Sequence, residues 1–340
     1  MRHALAATAA IALLAMCGAP RTEGQARSGV SRADERLVER ALSRADDALR
    51  RGRTERALSL LEASARRVPR DARAPLRFCE IAVPESDATV TARVDGSDTL
   101  ARDAARCASL LEALTGSTDP LDTHVAELLA WSRALLGDRG PALARMTSRP
   151  LDERDVAPLR RLATLAVVDG DANEAAIALT LARRVRPHDL ELLEDLAAIE
   201  LSRGNAASAV TLFRAIVAAR PGDRDAMHDL AGACLQAGEN TAAVRYLEQL
   251  ARDQPDRASA WIDLARARIE LGDVAGASSD AQRALALADP GDASAAIVLG
   301  EALRLSGDVD GARRAYEEAL RREPSSALAR RALASIDASR

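Results

Sequence analysis

The chain has 340 residues and a formal net charge of −4, which gives no electrostatic support to a nucleic-acid-binding function. Hydrophobic residues make up 48% of the sequence but aromatic residues only 2%, so the apolar content is mostly alanine and leucine. This composition favours closely packed helices over β-sheets and predicts an all-α fold.

The N-terminus has the pattern of an export signal. Residues 1–16 consist of a short basic start and an apolar run that is too short to span a bilayer as a stable anchor. The run ends in Leu14-Ala15-Met16 followed by Cys17, which resembles the lipobox of bacterial lipoproteins. That resemblance implies that residues 1–16 are removed and that Cys17 becomes the lipidated first residue.

The residues around this cysteine bear on the destination of the chain. Gly18, rather than aspartate, follows Cys17, and by the sorting rules of such lipoproteins this implies the outer membrane, facing the periplasm. Met16 stands where a small residue is usual, so cleavage after Ala19 to give a soluble exported protein, and retention in the cytoplasm, stay open as alternatives. Residues 17–31 have no apolar period and are predicted to form a flexible tether.

Residues 32–155 show a degenerate helical pattern. The first predicted helix pair comprises Arg32–Arg51 and Thr54–Val68. Its turn and flanks are rich in arginine, which indicates either a solvated helix face or a patch attracted to anionic lipid or to an acidic partner. These arginines are Arg50, Arg51, Arg53, Arg56, Arg66, Arg67 and Arg70.

An irregular insertion near residues 83–99 interrupts the next helix pair. Pro, Gly, Ser and Asp punctuate this stretch, so we predict a loop, which is either functional or disordered. Cys79 and Cys107 fall on the two flanking helices, where they either form a disulfide that clamps the pair or remain buried thiols. A further worn helix pair follows at 123–149, in which Trp131 is predicted to pack between neighbouring helices.

The strongest pattern in the chain is a repeat between residues 156 and 326. Pro187, Pro221 and Pro255 end successive units 34 residues apart. Each unit carries two amphipathic stripes that cannot be buried within the unit itself, so neighbouring units must stack. Small residues recur where the helices are expected to cross, and a large side chain there would overpack the contact. They are Ala163, Ala197, Ala231, Ala265 and Gly300 on the first helices, and Ala175, Ala209, Ala243, Ala277 and Ala312 on the second.

These units resemble the tetratricopeptide repeat. The family pattern is matched most fully by Ala296, Leu299, Gly300, Leu303, Ala312, Tyr316, Ala319 and Pro324. The resemblance implies an α-solenoid of antiparallel helix pairs whose concave groove binds other proteins. We assign five units at 156–189, 190–223, 224–257, 258–292 and 293–326, followed by a capping helix and tail at 327–340.

In this family the first helix of each unit lines the groove. By register the predicted lining is Arg160, Thr164, Glu194, Ala198, His228, Gly232, Ile262, Arg266, Ile297 and Glu301. The lysines and asparagines of the family's clamp for C-terminal carboxylates do not occur at these positions. We therefore expect an apolar or amphipathic segment, extended or helical, as the ligand.

The sequence gives no support for catalysis. The four histidines are scattered, and no phosphate loop, metal-binding helix or nucleophile elbow occurs, so we expect neither enzyme activity nor a cofactor or metal. The predicted function is a non-catalytic scaffold of the bacterial envelope that binds other proteins and, through its lipid, the membrane. We expect this scaffold to take part in assembling the machinery of secretion, of pili, of the outer membrane or of polysaccharide export. The alternatives are an adaptor or non-catalytic subunit of a cell-wall or glycan-processing enzyme complex and a cytoplasmic adaptor, and the oligomeric state stays open.

Overall fold

The computed structural model describes residues 30–114 and 121–338, and every regular element within these ranges is helical. The predicted all-α fold is confirmed. The predicted signal at 1–16, Cys17, residues 17–29 of the tether and residues 339–340 of the tail lie outside the described residues. Among the helices that are described, none combines the length and apolar character that a membrane crossing requires.

The chain divides into two compact units between Arg149 and Pro150. In the first unit, each helix packs against helices one to three places further along the chain, with α4 held mainly by α5. The described helices of this unit are α1 (Arg32–Arg50), α2 (Thr54–Arg67), α3 (Arg73–Ala82), α4 (Asp87–Val94), α5 (Asp98–Glu112), α6 (Leu121–Leu135) and α7 (Gly140–Thr147).

The prediction of a loop at 83–99 is wrong for Asp87–Val94, because these eight residues form α4. The hydroxyl of Ser86 accepts a hydrogen bond from the backbone N–H of Thr89 at 3.2 Å and so caps the helix. The side chain of Val90 is buried, which anchors this short helix to the rest of the unit.

A disulfide joins α3 to α5 around this insertion. The Cα atoms of Cys79 and Cys107 lie 5.3 Å apart and both residues are fully buried. Ser132 on α6 donates a hydrogen bond to the sulfur of Cys107, and the indole N–H of Trp131 donates one to the carbonyl of Val83 at 3.0 Å. Trp131 is 4% exposed, so it packs between helices as expected.

The second unit consists of five helix pairs and a final helix, preceded by a 3₁₀ turn at Glu153–Asp155. Each predicted repeat unit contains one pair, and the helices pack in chain order. The pairs are α8 (Val156–Val168) with α9 (Ala172–Val185), α10 (Leu190–Ser202) with α11 (Ala206–Ala219), α12 (Arg224–Gln236) with α13 (Asn240–Asp253), α14 (Ala258–Glu270) with α15 (Val274–Leu287), and α16 (Ser294–Leu305) with α17 (Val309–Arg322), and the last helix is α18 (Ala327–Ala338).

Close helix crossings depend on the small residues that recur in the repeat. The five alanines at the second-helix positions are fully buried, and the first-helix positions are buried as well. At the crossing of α16 and α17 the small residue is Gly300, and the two helices lie too close together there for a larger side chain. A Cβ atom on Gly300 would lie 2.5 Å from Cε1 of Tyr316, whose ring is 2% exposed.

We expect Gly300→Ala to destabilise the second unit by about 1–3 kcal/mol, because the buried Tyr316 ring would have to move. The matched control is Gly232→Ala on α12, where the new Cβ meets nothing within 4 Å. That change should stabilise by about 0.5–1 kcal/mol, because alanine is the better helix former. Urea unfolding followed by far-UV circular dichroism measures both variants, and a shift of both in the same direction would contradict this account of the crossing.

Candidate functional site

The candidate site is the exposed side of the five first helices of the second unit, α8, α10, α12, α14 and α16. We call it the inner face, because side chains on successive first helices reach one another across it. Nine of the ten predicted lining residues are exposed or half-buried there. They occupy two positions per helix, spaced i and i+4, and therefore lie on one side of each helix.

Ile262 is the exception, and its predicted place in the groove is wrong. It is 6% exposed and belongs to a hydrophobic cluster with Ala265, Ala295 and Val298. Burial of the isoleucine side chain against α16 is more favourable in free energy than its exposure to water, so Ile262 is part of the core. Ile297, the equivalent residue of the next unit, is half-buried against a cluster that includes Ala293 and Ala319.

The first of the two lining positions on each first helix contacts the next unit, and the type of interaction differs from unit to unit. On α8, Arg160 donates hydrogen bonds to Glu191 at 2.9 Å and to Asp195 at 3.2 Å, both on α10. Burial lowers the pKa of the Arg160 guanidinium, but these carboxylates raise it more, so its net pKa lies above the usual value. Two units later the equivalent residue, His228, contacts Asp263 of α14 at 3.0 Å.

His228 is held between two charged side chains. Its Nδ1 atom lies 3.3 Å from Nη2 of Arg257, which also pairs with Asp225 at 2.9 Å. Because a guanidinium only donates, Nδ1 must accept, and the ring proton therefore resides on Nε2, which donates to Asp263. The histidine thus links α12 to the N-terminal part of α14 through both of its ring nitrogens.

Between these two links, the position equivalent to Arg160 holds Glu194 on α10, and the position equivalent to Asp195 holds Asp229 on α12. Both side chains are carboxylates, so they cannot form the same link. Glu194 pairs instead with Arg220 at 3.0 Å. Asp229 makes no hydrogen bond or salt bridge with any residue in the described ranges, and partial desolvation raises the pKa of its carboxyl group above the usual value. The middle of the inner face therefore presents one exposed acidic side chain that has no direct ion-pair partner among the described residues.

An apolar stripe beside these residues was missed by the sequence analysis. Val167, Leu201 and Leu235 follow the predicted lining residues Thr164, Ala198 and Gly232 by three positions, so they share the same side of their helices. Val167 is 50% exposed, and both leucines are half-buried. Their 34-residue spacing was a signal that could have identified them.

Small side chains leave room beside this stripe. Thr164 and Ala198 are exposed, and the Cα of Gly232 faces open space. Towards the C-terminal end the same position holds the larger, charged Arg266 and Glu301. The arrangement from α8 to α12 therefore fits an apolar side chain of a ligand, whereas the end at α14 and α16 is more polar.

Within residues 30–114 and 121–338, no group of three or more His, Cys, Asp or Glu side chains is arranged to hold a metal ion. Cys234 is buried and free, and desolvation raises the pKa of its thiol, as befits a core side chain.

Stacked antiparallel helix pairs with a contoured inner face define an α-solenoid of the repeat class. Family models described as tetratricopeptide repeat match residues 160–224, 200–267, 235–279, 262–327 and 297–336. Together these matches span just over half of the chain. The chain belongs to the tetratricopeptide repeat superfamily, whose members generally act as non-catalytic scaffolds for protein interactions.

Several solved structures are similar in fold. MamA 41-end from Desulfovibrio magneticus RS-1 is 21% identical, with a TM-score of 0.46, and the match covers 51% of this chain and 97% of that one. TTC0263, a thermophilic protein of Thermus thermophilus, is 23% identical, with a TM-score of 0.43 and coverage of 54% and 99%. A tetratricopeptide repeat protein from Parabacteroides merdae ATCC 43184 is 14% identical, with a TM-score of 0.42 and coverage of 89% and 99%. No curated protein matches the sequence.

Proposed function

We propose that this protein is a non-catalytic scaffold of the bacterial envelope that binds a segment of a partner protein on the inner face of its second unit. The partner segment carries apolar side chains that lie along Val167, Leu201 and Leu235, and a basic side chain that pairs with Asp229. Anchoring through a lipid on Cys17 would hold this scaffold at the outer membrane, where it assembles export or surface machinery.

One observation carries the binding part of the proposal. The partly exposed apolar stripe lies beside small residues and one carboxylate that has no direct ion-pair partner among the described residues, so it combines apolar area with a polar group that fixes orientation. The export part is supported by the lipobox-like sequence and by the bond between Cys79 and Cys107, because disulfides persist in oxidising compartments.

Site-specific photocrosslinking in the native cell tests the proposal. A benzophenone amino acid in place of Ala198, an exposed alanine on α10 in the inner face, is expected to capture a partner protein. The matched control replaces Ala215, an exposed alanine on α11, the second helix of the same unit, and should capture none. Adding Asp229→Arg should abolish the crosslink from position 198, because it reverses the charge that the partner meets.

Equal capture from both positions, or capture that survives Asp229→Arg, would argue against inner-face binding. The same cells, fractionated with and without Cys17→Ala, address anchoring. The unaltered protein should fractionate with the outer membrane and the variant should stay unprocessed, whereas an unaltered protein found in the cytoplasm with Met1 retained would refute the envelope location.

A further inference from the structure

A cluster of arginines surrounds the turn between α1 and α2, far from the inner face along the sequence. Arg51, Gly52 and Arg53 connect the two helices. Beside this turn lies a depression of about 180 Å³. Its lining consists of Arg44, Asp47, Ala48, Arg51, Arg53, Arg56 and Leu60.

Most of this positive charge is unneutralised. Asp47 is the one carboxylate in the lining, and it pairs with Arg51 at 3.2 Å and with Arg50 at 3.7 Å. The other three lining arginines, Arg44, Arg53 and Arg56, are exposed and make no hydrogen bond or salt bridge with any described residue. A depression with four arginines against one aspartate contrasts with the net charge of −4 of the whole chain.

The N-terminus of α2 adds hydrogen-bond donors at the same place. Arg53 is the N-cap residue and its side chain makes no capping hydrogen bond. The first helical bond runs from the N–H of Ala57 to the carbonyl of Arg53, so the N–H groups of Thr54, Glu55 and Arg56 have no acceptor within the described chain. Free N–H groups at a helix N-terminus favour oxyanions, and here they adjoin the unpaired guanidinium groups.

We propose that this arginine turn, formed by Arg44, Arg51, Arg53 and Arg56, binds the phosphoryl group of an anionic ligand. Guanidinium groups match the oxygens of a phosphoryl group with paired N–H donors, and several of them together favour a doubly charged oxyanion over a single carboxylate. Ala48 is buried and Leu60 half-buried at the depression, so part of the lining is apolar and suits a ligand with carbon next to its phosphate. A soluble phosphate ester and a phospholipid headgroup share this chemistry.

The test uses the full-length protein and the double variant Arg53→Gln/Arg56→Gln. Neither arginine has a partner to lose, so the fold should be retained, and circular dichroism verifies this. The control, Arg184→Gln/Arg252→Gln, removes the same charge from two exposed arginines of the second unit that are likewise unpaired among the described residues. Titration calorimetry with inorganic pyrophosphate and co-sedimentation with phosphatidylglycerol vesicles, against phosphatidylcholine vesicles, then distinguish the two sources of phosphate.

We expect the double variant to bind at least about tenfold more weakly than the unaltered protein or the control, because hydrogen bonds to charged groups are lost. Loss in the pyrophosphate titration indicates a soluble ligand, and loss with vesicles alone indicates a headgroup. The proposal fails if neither probe binds, if the control loses binding equally, or if oligoglutamate binds as tightly as pyrophosphate, which would indicate an acidic protein surface.

Discussion

Leu230→Ala is expected to lower the free energy of unfolding of the second unit by about 2–5 kcal/mol, the range for leucine truncation in a packed core. Leu230 is 1% exposed on α12, which packs against α11 and α13. The neighbouring helices are fixed by their own repeat contacts and can collapse only partly into the space left behind. Urea denaturation followed by circular dichroism gives the loss, and hydrogen exchange should localise it to α11, α12 and α13.

Leu271→Ala is the matched control, because this leucine follows α14 and is 48% exposed. Its effect should stay within about 0.5 kcal/mol, as for other surface substitutions. If Leu230→Ala were as mild as Leu271→Ala, the register assigned to the repeat would be incorrect. Because repeat units contact only their neighbours, exchange in α16 and α17 should change little under native conditions.

Removal of the disulfide by Cys79→Ala/Cys107→Ala is expected to destabilise the first unit by about 3–4 kcal/mol. The bond closes a loop across a sequence separation of 28 residues, and opening it enlarges the conformational freedom of the unfolded chain. The readout is the fluorescence of Trp131, which is buried beside α3 and hydrogen-bonded to Val83. Because the chain has two tryptophans, Trp261→Phe in every variant leaves Trp131 as the sole indole.

A reducing agent provides the control for this experiment. It should destabilise the protein that retains Cys79 and Cys107 by a similar amount and leave the double-alanine variant unaffected. Equal stability of the oxidised and reduced proteins would show that the bond does not constrain the first unit. The other described cysteine, Cys234, is free and buried in the second unit, so it does not contribute to the reductant effect.

The sequence predicted the second unit well because its fold is determined by short-range steric requirements that recur. Small residues at the crossings, glycine after each first helix and proline after most second helices determine where each helix ends. The first unit lacks this regularity, so α4 at Asp87–Val94 was read as a loop. The local signal was present, because Ser86 is a favourable N-cap residue, but surrounding Pro and Gly residues outweighed it in the interpretation.

The lining of the inner face was harder to predict. The repeat register determines where a residue lies on its helix, but not which residues its side chain contacts. Arg160 and Ile262 occupy the same repeat position, yet one joins an ion-pair network and the other enters the core. The neighbouring unit decides this outcome through Asp195 in the first case and Val298 in the second. Such pairings between units depend on both residues, so a rule based on one position cannot give them.

The changing chemistry of that repeat position has a mechanical consequence. At this position α8 and α10 are linked by exposed charges, which dissolved ions screen, whereas α14 and α16 are linked by buried apolar groups, which dissolved ions do not screen. Rising ionic strength should therefore weaken the contact between α8 and α10 at this position and leave the contact between α14 and α16 unchanged. The second unit would then be more flexible at the contact between α8 and α10 than at the contact between α14 and α16, and this difference would increase with the salt concentration.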